Sequence, residues 1–148
     1  MLKDAFSEVY MKFKLHFYQK VFERLMDREA TLTTVETFCM EIIYALGTPT
    51  VAEFARMANL SSPNAAYKVG NLAKKGYLKK TRSEDDKREY HLEVTQKYMD
   101  YYNISYNYMN VVMDRIRERF SPEEIQTLEK ILKVTAEELM PEIELKNN

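Results

Sequence analysis

Glycine and proline are scarce, at three and four residues in 148, and cysteine occurs once. With so few chain breakers and an apolar share of 45%, the sequence predicts a globular, helix-rich chain. A lone cysteine, Cys39, excludes an internal disulfide and suits a reducing cytoplasm. Long hydrophobic runs are missing: after Met1-Leu2-Lys3-Asp4 charges recur every few residues, so neither signal peptide nor membrane span is expected. The two histidines, His16 and His91, lie far apart, and no His/Cys/Glu cluster has metal-ligand spacing, so no metal or cofactor is expected. No nucleophile–base pairing or phosphate-cradling loop appears, which argues against an enzyme. There is no internal repeat, and no linker is long enough to split domains. The length suits one domain, residues 1–148, with extra helices for an oligomer interface.

Charge is nearly balanced, at −1 overall, yet unevenly placed. Between Phe54 and Ser83 stand Arg56, Lys68, Lys74, Lys75, Lys79, Lys80 and Arg82 without one acid. Residues 48–95 carry +3, so the remainder carries −4. A basic middle between acidic ends fits a surface for a polyanion, and it also fits an ordinary solvated charge run.

Helical spacing organises most of the chain. Leu2, Phe6, Val9, Phe13, Phe17, Val21 and Leu25 form one apolar stripe over residues 2–27, and Tyr10, Met11, Leu15, Tyr18 and Phe22 occupy other faces. Thr33-Thr34-Val35-Glu36 reads as a capping box opening a helix through Phe38, Cys39, Ile42, Ile43 and Leu46, which Gly47 stops. Thr50-Val51-Ala52-Glu53 reads as a second box, with Phe54, Ala55 and Ala58 inward. After a turn at Asn59-Leu60, Ser61 or Ser62 caps the next helix, Pro63 suits its first turn, and Gly76 ends it. Tyr77–Arg82 and Glu89–Val94 read as strands joined by a polar loop. A long helix follows over 96–120, and Ser121-Pro122-Glu123-Glu124 opens the last.

Two short helices, a tight turn and a charged hairpin make a winged helix-turn-helix, whose dominant use is to hold a helix in the major groove of DNA. The full order resembles the MarR-type regulators of bacteria. Leu32-Thr33 is similar to the family's Leu-Thr, and Thr50-Val51-Ala52-Glu53-Phe54-Ala55 to its Thr-x-x-Glu-Leu-Ala. Leu72-Ala73-Lys74-Lys75-Gly76-Tyr77-Leu78 resembles its Leu-Glu-Lys-Lys-Gly-Leu-Val, and Asp86-Lys87-Arg88 its Asp-x-Arg wing tip. Leu92-Glu93-Val94-Thr95 stands where the family has x-Leu-Thr, while the glycine that usually follows is replaced by Gln96-Lys97-Tyr98. The expected class is mainly α with a small β-wing. A DNA-binding lobe spans about 32–95, and N- and C-terminal dimerisation helices cover about 1–30 and 96–148.

In that layout the recognition helix begins at Ser62. Asn64 could pair with adenine and Ala65 pack on a thymine methyl, Ser62 and Tyr67 suit phosphates, and Lys68 suits a base or a phosphate. Lys74, Lys75, Lys79, Lys80, Arg82 and Lys87 are candidates for backbone phosphates, with plain solvation as the other reading of Lys74 and Lys75. The resemblance gives Arg88 the minor groove and Asp86 the task of holding it. Val69 and Leu72 read as core.

The apolar terminal helices exceed what one winged lobe can cover, so a twofold homodimer on a pseudo-palindromic double-stranded DNA site is expected. The resemblance also implies release, usually of a repressor, by a small lipophilic or phenolic effector. Tyr10, Phe13, Phe17, Tyr44, Tyr101, Tyr108 and Met109 are the candidates to line its cleft, or are simply core and interface. Cys39 could sense oxidation, but it sits in an apolar helix with no base nearby in sequence. A protein-interaction module that keeps the winged shape without reading DNA is the competing class.

Overall fold

The computed structural model describes residues 1–26 and 32–145; the side chains of Leu25 and of residues 101–105 lie outside that description. Helix α1 (Leu2–Leu25) is followed by α2 (Thr34–Ala45), α3 (Val51–Ala58), α4 (Ser62–Lys74), strands β1 (Leu78–Arg82) and β2 (Tyr90–Val94), then α5 (Gln96–Arg119) and α6 (Pro122–Glu138). It is a mainly α chain with a two-stranded antiparallel wing.

Local chemistry sets the helix ends. Thr33 accepts the Glu36 amide on Oγ1 at 3.1 Å and donates its own N–H to Glu36 Oε1 at 3.0 Å, a complete capping box. Thr50 Oγ1 accepts the Glu53 amide at 3.1 Å, and Ser61, rather than Ser62, caps α4 through the Asn64 amide. Asn59 ends α3 in the left-handed region at φ 54°, which asparagine tolerates better than most residues. Gly76 does the same after α4 at φ 85°. The Tyr77 amide then reaches back to the Leu72 carbonyl at 3.0 Å and turns the chain into β1. Ser121 and Glu124 form a second complete box at the start of α6.

One apolar core joins α2, α3, α4, the wing and the start of α5. Met40, Ile43, Phe54, Val69, Leu72, Leu92 and Tyr98 are fully buried in it. The wing is fixed at its base: Leu78 pairs with Val94 and Lys80 with Leu92, while the Leu92 amide donates to the Pro49 carbonyl at 2.8 Å. Thr95 Oγ1 donates to the Gly76 carbonyl at 2.6 Å, and Lys97 Nζ to that of Lys75 at 2.6 Å. These bonds lock the start of α5 to the end of α4 without the glycine absent there.

Helices α1, α5 and α6 extend from this lobe. Phe13 of α1 packs edge-on to Tyr108 of α5 at 5.7 Å, and the His16 ring stacks on the same tyrosine at 3.8 Å. Among the described residues much apolar surface of these helices is left open: Leu2, Phe6, Val9 and Leu15 on α1, and Leu128, Ile131 and Leu132 on α6, are exposed. No residue of α6 is buried. Among the described residues no helix is long and apolar enough to cross a membrane.

Candidate nucleic-acid interface

Helix α4 shows two faces. Ala65, Val69 and Leu72 recur at i, i+4 and i+7 and are buried against the core. Ala65 is therefore corrected from a base contact to a core residue: at 0% exposure its methyl group meets protein and cannot reach a thymine. Tyr67 stands on the face opposite that stripe, while Asn64 and Lys68, one turn apart, flank it on one side. Ser62 and Asn64 are exposed, Lys68 is half-buried, and Tyr67 stands 71% exposed. An aromatic ring so far from the core gains little from its position in the isolated chain.

The wing tip is the most organised element of this surface. The Arg88 guanidinium donates to Asp86 through Nε to Oδ1 at 3.1 Å and Nη2 to Oδ2 at 3.2 Å. The Arg88 backbone amide donates to Oδ1 at 3.0 Å. Asp86 is 37% exposed and Arg88 90%, so the arginine projects further into solvent than its partner. These bonds hold the Asp86 carboxyl below its ordinary range and the Arg88 guanidinium above its own. The loop is closed by the Ser83 amide on the Glu89 carbonyl at 2.9 Å and the Glu89 amide on the Asp86 carbonyl at 3.0 Å.

The other basic residues divide. Lys74, Lys79 and Lys87 are exposed. Lys80 Nζ sits 5.0 Å from the Tyr90 ring centroid. Lys75 Nζ donates to Glu36 Oε1 at 2.7 Å, with the lysine side chain 34% exposed and the carboxylate 12%. That ammonium ties the end of α4 to the start of α2, so Lys75 is corrected from a phosphate candidate to a structural ion pair. Burial alone would raise the Glu36 carboxyl, but the bonds from Lys75 and Thr33 outweigh it and the net shift is downward. Arg82 donates Nε to the Lys87 carbonyl at 2.6 Å and so is turned into the wing loop.

Between α4 and the wing lies a cleft of about 410 Å³ lined by Thr50, Ala52, Ser62, Ala66, Lys80, Arg88 and Tyr90. Tyr90 escaped the sequence reading. It pairs with Arg82 at the mouth of the hairpin, a register that the sequence does not specify.

The seven effector candidates do not share one cleft. Tyr10, Phe13 and Phe17 line a groove of about 440 Å³ between α1 and α2, together with Lys14, Phe38, Glu41 and Ile42. Tyr108 joins them through Phe13. Tyr44 lies elsewhere, 6.3 Å from the Tyr98 ring, lining a shallow groove with Thr48 and Glu93. Met109 is exposed, and the Tyr101 side chain falls outside the described residues. Glu41 was not singled out from sequence. Burial pushes its carboxyl up, opposed by the Tyr98 hydroxyl, which donates to it at 3.1 Å.

Cys39 is buried, and burial raises its thiol; Lys68 opposes the shift without reversing it. A thiol kept protonated and away from solvent is a poor oxidation sensor. Among the described residues no group of three or more His, Cys, Asp or Glu side chains converges.

Comparison with known proteins agrees with this geometry. The family model for MarR (MarR family) matches residues 32–90. FabT of Streptococcus pneumoniae, solved in complex with DNA, is 21% identical and aligns over 96% of this chain and 97% of its own, with a TM-score of 0.62. A mutant MepR from a multidrug-resistant S. aureus clinical isolate is 14% identical over 95% and 98%, with a TM-score of 0.67. A MarR family protein from Bacillus stearothermophilus is 15% identical over 93% and 92%, with a TM-score of 0.63. At these identities the structures share the fold. No curated protein sequence matches the chain.

Proposed function

We propose that this chain, which carries the MarR-family winged-helix domain and the fold of its transcriptional regulators, binds double-stranded DNA as a homodimer and regulates transcription, as a repressor. The observation that carries the reading is the Asp86–Arg88 clamp, which presents an exposed, pre-aimed guanidinium beside the exposed face of α4. A narrow A·T-rich minor groove concentrates negative potential and attracts an inserted arginine. Asn64 and Lys68 face the major groove in the same docking, while Ser62, Tyr67, Lys74 and Lys87 meet phosphates.

The open apolar surface of α1 and α6 supports the pairing. Exposed apolar area of that extent on two helices marks a protein interface. A twofold partner would place two α4 helices about one DNA turn apart, matching a pseudo-palindrome. In this reading residues 32–95 read DNA and the terminal helices pair, within one cytoplasmic domain. A small apolar or phenolic effector occupies the α1–α2 groove at Tyr10, Phe13 and Phe17 and releases the DNA.

A mobility-shift titration on DNA upstream of the chain's own gene, across a salt series, tests the reading. A retarded band that weakens steeply with salt is the expected result. Absence of any retarded band at low salt, from protein that is folded and dimeric, supports instead the protein-interaction module.

A further inference from the structure

We propose that Arg82 acts on DNA through Arg88, by fixing the peptide unit from which Arg88 projects, and not as a phosphate contact. The inference rests on the reading of Arg88 as a minor-groove residue. Arg82 ends β1 and pairs across the hairpin with Tyr90. Its Nε donates to the Lys87 carbonyl at 2.6 Å. The N–H of that same peptide unit, belonging to Arg88, donates to Asp86 Oδ1 at 3.0 Å.

A trans peptide unit is planar, with its carbonyl and its N–H pointing opposite ways. When a side chain holds each end, the plane can no longer rotate about the line joining the two Cα atoms. That rotation sets φ at Arg88, and hence the direction in which its Cβ leaves the backbone. Arg82 therefore fixes the root of the Arg88 side chain, and Asp86 fixes both the root and the guanidinium. The rest of the loop is pinned by the Ser83–Glu89 and Glu89–Asp86 backbone bonds. A side chain already aimed loses less conformational freedom on binding, so the brace adds affinity without touching DNA.

The bond uses one atom, and that allows a clean test. The Nε2 of glutamine is the same number of bonds from Cα as the Nε of arginine, so Arg82→Gln keeps a donor there and removes the charge. Arg82→Lys keeps the charge but has carbon at that position. The intact protein and the Arg82→Ala, Arg82→Gln, Arg82→Lys, Arg88→Ala and Arg82→Ala/Arg88→Ala variants are titrated against two duplexes. One is the upstream fragment; the other has its A·T steps next to the footprint replaced by G·C.

The brace predicts that Arg82→Ala loses about fivefold of the preference for the A·T duplex, the scale of one modest hydrogen bond. Gln restores the preference and Lys does not. The double variant binds no more weakly than Arg88→Ala alone. Melting temperatures of all variants match the parent. The proposal is overturned if Lys restores binding and Gln does not, with both duplexes weakened alike and the salt slope reduced by about one, the signature of a phosphate contact. It is overturned equally if Arg82→Ala matches the parent while Arg88→Ala loses the preference, which leaves the minor-groove reading standing. If Arg88→Ala also keeps the preference, that reading and this inference fall together.

Discussion

Asp86 holds Arg88 at both ends of the residue: its carboxylate accepts the backbone amide at 3.0 Å and the guanidinium at 3.1 and 3.2 Å. The arginine is thus organised before any partner arrives, yet nine-tenths of it remains open to solvent. An exposed ion pair contributes little to folding, so the ordering points to what the residue does outside the fold.

Replacing Arg88 with alanine should weaken DNA binding about tenfold, the scale of one strong specific contact. The melting temperature should stay unchanged. Fluorescence anisotropy beside thermal denaturation checks both; unaltered affinity removes the wing from the mechanism.

Asp86→Ala separates organisation from charge. Removing an acid makes the wing more positive, and a purely electrostatic surface would then bind DNA more tightly. The clamp predicts the reverse, a loss of about fivefold, because the guanidinium must be ordered on binding. Tighter binding by this variant, measured at one salt concentration, counts against the clamp.

Lys75 and Glu36 belong to the fold. Lys75→Ala should lower stability by about 1 kcal/mol, as for a lost partly buried hydrogen bond to charge, with the slope of affinity against salt unchanged. Urea unfolding and a salt series on one preparation distinguish this from a lost phosphate contact, which would flatten the slope.

Ala65→Leu should cost about 1–3 kcal/mol by overpacking the interface of α4 with the core. Urea unfolding reads that cost directly. A stable variant with altered sequence preference would mean that position 65 faces DNA after all.

Glu41 makes stability depend on pH. Its carboxyl is raised in the folded state, so the folded chain favours the protonated form. Its relative contribution is full below the ordinary carboxylate range and is lost as pH rises through the raised value. Glu41→Gln, which stays neutral and can still accept from Tyr98, should raise the melting temperature by a few degrees at neutral pH and by nothing in acid. An equal effect at both pH values contradicts this assignment.

The sequence carried the local devices and the order of elements, because caps, turns and helical periods are written in neighbouring residues. Thr33 with Glu36, Ser121 with Pro122, and Gly76 were all readable. Ala65 was also readable, since it stands four and seven residues before Val69 and Leu72 on one helical stripe. The Lys75–Glu36 pair spans 39 residues and the Tyr98–Glu41 bond 57, so neither follows from spacing. Aromatic residues on α1, α2 and α5 look alike in sequence, and only packing separates Tyr44 from Tyr10, Phe13 and Phe17. The Arg82 bond to the Lys87 carbonyl depends on the loop's backbone path, which composition does not specify.

Hydroxyl-radical footprinting on the upstream DNA probes most directly whether α4 and the wing read DNA together as a pair. Two symmetric patches about one helical turn apart are predicted, each flanked by a minor-groove protection that disappears with Arg88→Ala and leaves the central protections in place. A single unsymmetrical patch, or flanking protections that survive Arg88→Ala, would contradict it.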